Sequence, residues 1–310
     1  MNSNIEDVAN SALLELGLLP TTINRHGVFV KVDAKDGKKG NGAGRIKIFA
    51  DGKGGFAQNW KTGDKRSFFL NSDGQTAALS EAEKMRIEHE RRKREAEQAA
   101  IANRAARRAK ASWQAARPAP LDHPYLVAKQ IKPHGARVAI WKRVIEVNGV
   151  KQNVIIDNAL LIPLFDAAGQ IRSLQAIFPI KHPLFERNKD FLPGGGLAGL
   201  FWWIGARTET VLIAEGLATA ATLHEQTGNR VYLAFTANNL LSVARIVREK
   251  LPNANIIMAA DNDTETAGNP GLTKATEAAA AVGGSVIVPP IPNADFNDYQ
   301  SFLNGGGYVG

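Results

Sequence analysis

Four short apolar runs alternate with three helical patterns over the last third of the chain. Parallel strands need long crossover connections, which are usually helices, so this alternation predicts an α/β fold in which helices cover both faces of a four-stranded parallel sheet. The predicted strands are residues 211–214, 231–235, 255–260 and 285–288, and the predicted helices are residues 217–227, 240–249 and 272–281.

Carboxylates follow two of these runs at the points where the runs end. Glu215-Gly216 follows the first run, and Asp261-Asn262-Asp263 follows the third. Neighbouring parallel strands deliver such residues to the same carboxyl edge of a sheet. Mg²⁺ prefers oxygen ligands and binds through a few carboxylates together with substrate phosphates. The sequence therefore predicts a Mg²⁺ or Mn²⁺ site and chemistry on phosphodiesters or nucleotides.

The absence of cysteine limits the kinds of site that the 310 residues can build. It excludes disulfides and cysteine-ligated zinc, including a zinc ribbon. No apolar run approaches the roughly 20 residues that cross a bilayer, and residues 1–7 lack the basic start and apolar body of a secretion signal. We therefore expect a soluble, cytoplasmic protein without zinc and without membrane association.

Positive charge is concentrated in the first half of the chain. The net charge is +8, and residues 25–66 alone carry eleven Lys and Arg against four Asp. Such clustering is typical of a surface that binds a polyanion, although basic surface can also serve solubility alone. The distribution favours a basic nucleic-acid-binding module that precedes a metal-dependent catalytic unit.

Residues 1–72 are predicted to form this small basic α+β module, with a helix over residues 5–18 and strands over residues 27–32, 45–49 and 55–60. Six aromatic residues are interleaved with the basic ones, a pattern that suits stacking on unpaired bases, whereas several of them could instead form the module's core. These are Phe29, Phe49, Phe56, Trp60, Phe68 and Phe69. The predicted contacts to single-stranded DNA are Arg45, Lys47, Lys53, Trp60, Lys61, Lys65 and Arg66.

The next segment, residues 73–118, is predicted to be a charged helical linker, because residues 79–116 are rich in Ala, Glu, Arg and Lys and contain neither Gly nor Pro. We expect an exposed spacer, with a nucleic-acid-contacting face as the alternative. Strand patterns at 158–165 and 170–178, joined by a tight turn, indicate an α+β subdomain over residues 119–206. A catalytic domain over 207–300 and a Gly-rich tail over 301–310 complete the predicted organisation.

The ordered set of motifs in residues 207–300 resembles the Toprim domain of topoisomerases, primases and some nucleases. The set comprises Glu215-Gly216, Asp261-Asn262-Asp263, Gly268-Asn269-Pro270-Gly271 and Ala294-Asp295-Phe296-Asn297-Asp298. This resemblance implies a Rossmann-like catalytic domain.

The segment upstream resembles the polymerase core of phage and plasmid primases. The matching motifs are His123-Pro124-Tyr125-Leu126, Leu161-Ile162-Pro163-Leu164-Phe165-Asp166, Leu174-Gln175 and Lys189-Asp190-Phe191-Leu192-Pro193-Gly194-Gly195. The resemblance implies a primase that makes short primers on a single-stranded DNA template from nucleoside triphosphates for a mobile element. A metal-dependent nuclease and a non-catalytic single-stranded-DNA binder remain the alternatives.

The chain departs from the pattern of bacterial replicative primases at two points. It cannot form their cysteine-ligated zinc ribbon, so the basic module would have to engage the template instead. It also lacks a Gly-x-x-x-x-Gly-Lys-Ser/Thr phosphate loop, so unwinding would fall to a separate helicase.

The resemblance also implies residue roles. Asp261 and Asp263 would hold the metal ions, and Glu215 would either complete the metal shell or accept a proton from the attacking 3′-hydroxyl. Asp295 would add an outer carboxylate or cap a helix. The candidates for binding nucleotide phosphates or the template backbone, each of which could also be solvated surface, are Lys189, Arg187 and Arg172.

Overall fold

The computed structural model describes residues 4–70, 81–147, 149–266 and 268–305. The chain divides into two compact units, residues 1–92 and 93–310. The predicted boundaries at 72, 118, 206 and 300 stay predictions. The start of the predicted linker (73–80) and the end of the predicted tail (306–310) lie outside the described residues.

No helix in the described ranges is both long and apolar enough to cross a membrane.

The first unit packs one helix against a four-stranded antiparallel sheet in the order β1-β2-β3-β4. Helix α1 begins with a capping box, in which the Asn4 side chain accepts a hydrogen bond from the backbone of the first turn and the Asp7 side chain accepts one from the Asn4 N–H. Strand β4 was not predicted from the sequence. The elements are α1 (Ile5–Glu15), β1 (Val30–Val32), β2 (Gly44–Ile48), β3 (Gly54–Asn59) and β4 (Lys65–Phe69).

Aliphatic side chains fill most of the core between α1 and this sheet. Leu13, Ile46 and Ile48 are fully buried there, and among the six aromatic residues of the module Phe68 belongs to the buried cluster. The sequence left open whether several aromatics form the core. The structure gives that role to Phe68 because the helix and the inward positions of β2 supply enough aliphatic volume.

The long helix α2 (Glu81–Ala115) continues into the second unit, and there it departs from the exposed spacer expected from its composition. Ala105 and Ala109 are buried against the sheet described next. The Arg137 guanidinium lies 4.6 Å from the Trp113 ring and donates to the Trp113 carbonyl oxygen at 2.7 Å. Alanines buried on one face allow close packing even though the helix is strongly charged overall.

The second unit contains an antiparallel sheet in the order β5-β6-β7-β8-β9. One face packs on the end of α2 and the other contributes to a core shared with the carboxyl-terminal sheet. The elements are β5 (Arg117–Pro118), α3 (Pro124–Lys129), β6 (Arg137–Val147), β7 (Val150–Phe165), β8 (Ile171–Ile177) and β9 (Lys189–Phe191). Strand β9 was not predicted from the sequence.

The carboxyl-terminal sheet has the order β10-β12-β11-β13-β14. Strands β11 to β14 are parallel, as predicted, and β10 adds an unpredicted antiparallel edge. Buried cores cover both faces. The elements are β10 (Trp202–Ile204), β11 (Thr210–Ala214), α4 (Leu217–Thr227), β12 (Arg230–Leu233), a 3₁₀ turn (Ala237–Asn239), α5 (Leu240–Lys250), β13 (Asn255–Ala259), α6 (Pro270–Val282), β14 (Ser285–Ile287) and α7 (Phe296–Leu303).

Candidate functional site

The predicted catalytic carboxylates follow adjacent strands at the carboxyl edge of the parallel sheet. Strands β11 and β13 pair in register with Ala214 opposite Ala259, so Glu215 and Asp261 leave the sheet close to each other. Both line a cavity of about 230 Å³, together with Asp295 from the start of α7. The topology thus brings carboxylates that are distant in sequence to one concave site.

Asp261 is the most strongly perturbed of these carboxylates. Burial, and then the negative charges of Glu215, Asp295 and Asp263, raise its pKa to about 8, and the positive charge of Lys189 opposes this shift. Its Oδ1 atom is buried and accepts no hydrogen bond from the described residues. An orphaned carboxylate oxygen beside like charges is suited to a cation, because a cation would supply the missing partner and cancel the repulsion.

Neighbouring groups shift the pKa of Glu215 in opposite directions. Burial raises its pKa, the negative charge of Asp263 acts in the same direction, and the positive charges of Lys189 and Arg187 lower it. A hydrogen bond from the Ala237 backbone N–H also favours the ionised form. Two of the three basic residues predicted to bind nucleotide phosphates therefore act electrostatically on the predicted catalytic centre.

Strand β9 places Lys189 at the cavity through its neighbour Asp190. The Asp190 carboxylate accepts a hydrogen bond from Trp141 Nε1 at 2.8 Å, and Arg143 Nε lies 2.7 Å from the same oxygen. Because successive strand residues point to opposite faces, anchoring Asp190 on one face directs Lys189 to the other, where it lines the cavity.

Asp263 and Asp295 flank this centre. Asp263 contributes negative charge to both Glu215 and Asp261, and its backbone N–H donates to Asn269 Oδ1 at 3.1 Å. Asp295 caps α7 by accepting hydrogen bonds from the backbone of the helix's first turn, and it also lines the cavity. Burial raises the pKa of Asp295. The two roles considered for Asp295, cap and outer carboxylate, are thus compatible.

A divalent cation fits the chemistry of this donor set. Among the described residues, no three His, Asp or Glu side chains already stand at mutual ligand distances. Mg²⁺ does not require such a cage, since it usually binds through one or two carboxylates plus waters and substrate phosphates. The cavity is lined both by carboxylates and by Lys189, a suitable environment for a metal-bound phosphate.

Comparison with known protein families matches residues 210–302 to the Toprim domain. This part of the chain is a Toprim domain. The resemblance expected from the ordered acidic motifs is therefore confirmed.

The chain is also similar to curated proteins, in one case over nearly its whole length. It is 29% identical over 306 residues to DNA primase TraC of Escherichia coli, an alignment that covers 92% of this chain and 26% of the relative. A second protein of that name and organism is 35% identical over 150 residues, which cover 46% of this chain and 10% of the relative. The chain thus spans about a quarter or less of these relatives' lengths.

Solved primase domains match the fold more loosely. A DnaG primase catalytic domain bound to single-stranded DNA aligns with a TM-score of 0.44 and 13% identity, covering 68% of this chain and 79% of that one. The primase fragment of the bacteriophage T7 primase-helicase aligns with a TM-score of 0.38 and 21% identity, covering 58% and 68%.

Asn262 is a residue of the Toprim domain whose role the sequence did not reveal. Its Nδ2 donates to the carbonyl oxygens of Pro289 and Ile291, its Oδ1 accepts from Asn269, and its N–H donates to Ala294. Asn262 therefore fastens the loop of Asp261 and Asp263 to the segment that leads to Asp295. The position between two acids was its only sequence signal.

Tyr125 and Gln175 line the same cavity from outside the Toprim domain. Burial, and then the negative charges of Asp295 and Asp298, raise the pKa of Tyr125. Their motifs marked the resemblance to primases but gave no hint that they reach the carboxylates.

The structure does not place Arg172 at this cavity. The Arg172 guanidinium donates to Asn103 at 3.0 Å and lies 3.9 Å from the Asp166 carboxylate. Asn103 belongs to α2, which packs on the Leu174 and Ala176 face of the sheet, whereas Gln175 lines the cavity from the other face. Trp202 is buried in the core, and Trp203 packs against Phe165 and Phe201.

The predicted DNA-binding residues of the first unit occupy different surfaces. Arg45, Lys47 and Lys65 stand on the sheet face opposite α1. Arg66 points to the helix side, where it pairs with Glu15 at 2.8 Å.

The remaining three predicted DNA-binding residues lie in the turns at the two ends of β3. Lys61 pairs with Asp36 at 3.3 Å, Trp60 is 63% exposed just after β3, and Lys53 is exposed in the turn before β3.

Proposed function

We propose that this chain is a DNA primase that joins nucleotides into short primers on a single-stranded DNA template. The observation that carries the proposal is the cavity that Glu215, Asp261 and Asp295 share with Lys189 at the carboxyl edge of the Toprim sheet. Similarity to DNA primase TraC over 306 residues supports synthesis over cleavage, because it extends well beyond the Toprim domain.

The carboxylates are proposed to bind Mg²⁺ or Mn²⁺. Asp261 and Asp263 would hold the ion, and Asp295 would be an outer carboxylate. Glu215 would be a further ligand or the base that receives the proton of the attacking 3′-hydroxyl. An ion held by these carboxylates would neutralise charge on the triphosphate and favour its in-line orientation. The unpartnered Oδ1 of Asp261 supports this assignment.

Lys189 and Arg187 are proposed to bind the phosphates of the incoming nucleoside triphosphate. Both already act on Glu215 electrostatically, and Lys189 lines the cavity. Their positive charge would concentrate an anionic substrate beside the carboxylates that otherwise repel it. Arg172 is not assigned to this role because its contacts lie on the other sheet face.

The proposal also covers partners. The basic first unit would hold the template, and a separate replicative helicase would open the duplex. We place the activity in the cytoplasm, in the replication of a plasmid, phage or other mobile element.

The test is incubation of the protein with single-stranded DNA, labelled ribonucleotides and Mg²⁺ or Mn²⁺. Labelled oligomers are expected, and they should disappear in Glu215→Gln and Asp261→Asn. Glu277→Gln, at an exposed position on α6 that pairs with Lys274, is the matched control and should retain synthesis. A shortened template without new product would show a nuclease, and binding without either product would show a non-catalytic binder.

A further inference from the structure

One face of the first unit's sheet is free of its helix. The inward positions of the strands, including Ile46, Ala57 and Phe68, pack on the α1 side. Alternation along the strands therefore turns the residues between them to the opposite face. Among the described residues of this unit, α1 contacts β2, β3 and β4, whereas the residues that point to the opposite face are half-buried or exposed, and we call this side the open face.

A basic row crosses this open face. Lys31, Arg45, Gln58 and Lys65 are register partners on four successive strands. Like charges directly opposite each other, as at Lys31 and Arg45, destabilise a sheet. Lys31, Arg45 and Lys65 form no ion pair with any of the described residues. An uncompensated row of this kind is suited to a polyanionic partner.

Four phenylalanines lie beside the basic row, and we call them the aromatic row: Phe29, Phe49, Phe56 and Phe69. Lys47, Phe56 and Ser67 are register partners, and Lys47 Nζ lies 5.4 Å from the centroid of the Phe29 ring. Phe29 is 58% exposed although it is a large apolar residue. Phe56 is half-buried and lies outside the core cluster. At the next position along the strands, the rings of Phe49 and Phe69 lie 6.1 Å apart.

We infer that this open face binds single-stranded DNA, with phosphates along the basic row and unpaired bases against the aromatic row. The inference deepens the template-binding part of the proposed function and selects one surface from a module that is basic on several sides. Aromatic rings on a positively charged surface recognise unpaired bases regardless of sequence, because every base has a face that can stack. Lys31 joins the predicted DNA contacts, and Phe29 and Phe56 are selected from the six aromatic residues that the sequence offered for stacking.

The electrostatic part is tested by fluorescence anisotropy of the full chain with a labelled single-stranded oligonucleotide at several salt concentrations. Removing one lysine that binds a phosphate should reduce the slope of log affinity against log salt by about 0.7. The triple variant Lys31→Ala, Lys47→Ala, Lys65→Ala should therefore show a slope that is smaller by about 2. The control triple variant Lys35→Ala, Lys38→Ala, Lys39→Ala removes the same charge from exposed positions in the β1–β2 loop.

Equal reductions of the slope in the two triple variants would overturn the inference, since they would show that net charge alone attracts DNA. An unchanged slope in the open-face variant would overturn it as well and would leave this face to a protein partner. Circular dichroism of both variants should match that of the parent chain, because all but one of the six lysines are exposed and Lys47 is half-buried.

The stacking part is tested at Phe29, whose exposure makes it replaceable without a core defect. Phe29→Ala should weaken binding at least about fivefold, the lower range for removal of one stacking ring. Phe29→Trp should retain affinity, whereas Phe29→Leu, which keeps apolar bulk without an aromatic face, should behave like Phe29→Ala. If Phe29→Leu binds as well as the parent chain, the rings do not stack on bases and the inference fails.

Failure of the proposed primase activity can be distinguished from failure of the proposed DNA-binding surface. Loss of synthesis in Glu215→Gln with normal anisotropy would locate chemistry and binding on separate units. Normal anisotropy in every open-face variant with intact synthesis would reject this surface and leave the primase proposal in place.

Discussion

At the scale of single residues, the arrangement of charge around Asp261 is what most distinguishes this site from an ordinary strand end. A carboxylate at a strand end normally faces water. Asp261 instead is buried beside three negatively charged side chains, and its Oδ1 atom accepts no hydrogen bond from the described residues. Such an arrangement costs folding free energy in the absence of a cation, and that cost is the signature of a site built for one.

The substitution Asp261→Asn should therefore stabilise the metal-free protein, by about 1–3 kcal/mol at pH 8, because it removes a buried charge from among like charges. It should also abolish any rise in Tm on addition of Mg²⁺. Differential scanning calorimetry with and without Mg²⁺ measures both effects. A lower Tm for metal-free Asp261→Asn would mean that the carboxylate is satisfied without a metal.

The pH dependence of stability follows from the same pKa. The folded state raises the pKa of Asp261 from 3.8 to about 8, so the folded protein holds this proton more tightly than the unfolded chain. Its contribution to stability is full below about pH 4 and is lost as the pH rises towards 8. Urea unfolding of the metal-free protein should show this decline, and Asp261→Asn should lack the Asp261 contribution.

Metal affinity should depend on pH in the opposite direction. A cation must displace the Asp261 proton below pH 8, so affinity should increase by up to about tenfold per pH unit between 6 and 8 and then level off. Calorimetric titration with Mg²⁺ in buffers of different ionisation enthalpy would also detect the released proton. A pH-independent affinity would exclude Asp261 as a ligand.

At the scale of elements, the sequence predicted the parallel strands well because short hydrophobic runs are local signals. The limits of α4 agree with the predicted helix. The short strands β4, β9 and β10 were not predicted, since each depends on a neighbouring strand or core. Lys189 reaches the cavity through Asp190, Trp141 and Arg143, which are contacts between residues far apart in sequence.

Helix α2 is less exposed than its composition predicts. Its charge density indicated exposure, yet alanines at helical spacing create a narrow apolar face that packs on β-sheet residues. The consequence is testable by Ala109→Asp, which would bury a charge at a fully buried position and should cost about 3 kcal/mol or more.

Urea unfolding of the full chain measures this change. Ala99→Asp, on the exposed part of the same helix, is the matched control and should shift the free energy by less than about 0.5 kcal/mol. Similar stabilities for the two variants would support the spacer that the composition suggested.

At the scale of the whole molecule, two compact units carry two separable proposals. The site in residues 93–310 depends on a Toprim domain, and the open face in residues 1–92 depends on a small basic sheet. Charge clustering predicted the basic module but not its binding face, because the face is defined by strand register and by the position of α1. In the same way, the acidic motifs predicted the Toprim domain but not the support that Asn262 provides.

Removal of residues 1–72 should weaken single-stranded-DNA affinity and flatten its salt dependence, because the side chains proposed to bind phosphates on the open face would be absent. The Tm increase with Mg²⁺ should persist in the remaining chain. Anisotropy and calorimetry on the same preparation would measure both properties. Unchanged DNA affinity would remove the module from template binding.

Glu215, Asp261 and Asp263 are proposed to bind a divalent cation together, and Mn²⁺ binding followed by electron paramagnetic resonance tests this proposal. We expect saturable binding to the parent chain and to Glu277→Gln, and at least a tenfold loss of affinity in Glu215→Gln, Asp261→Asn and Asp263→Asn. Undiminished Mn²⁺ affinity in these three variants would contradict it.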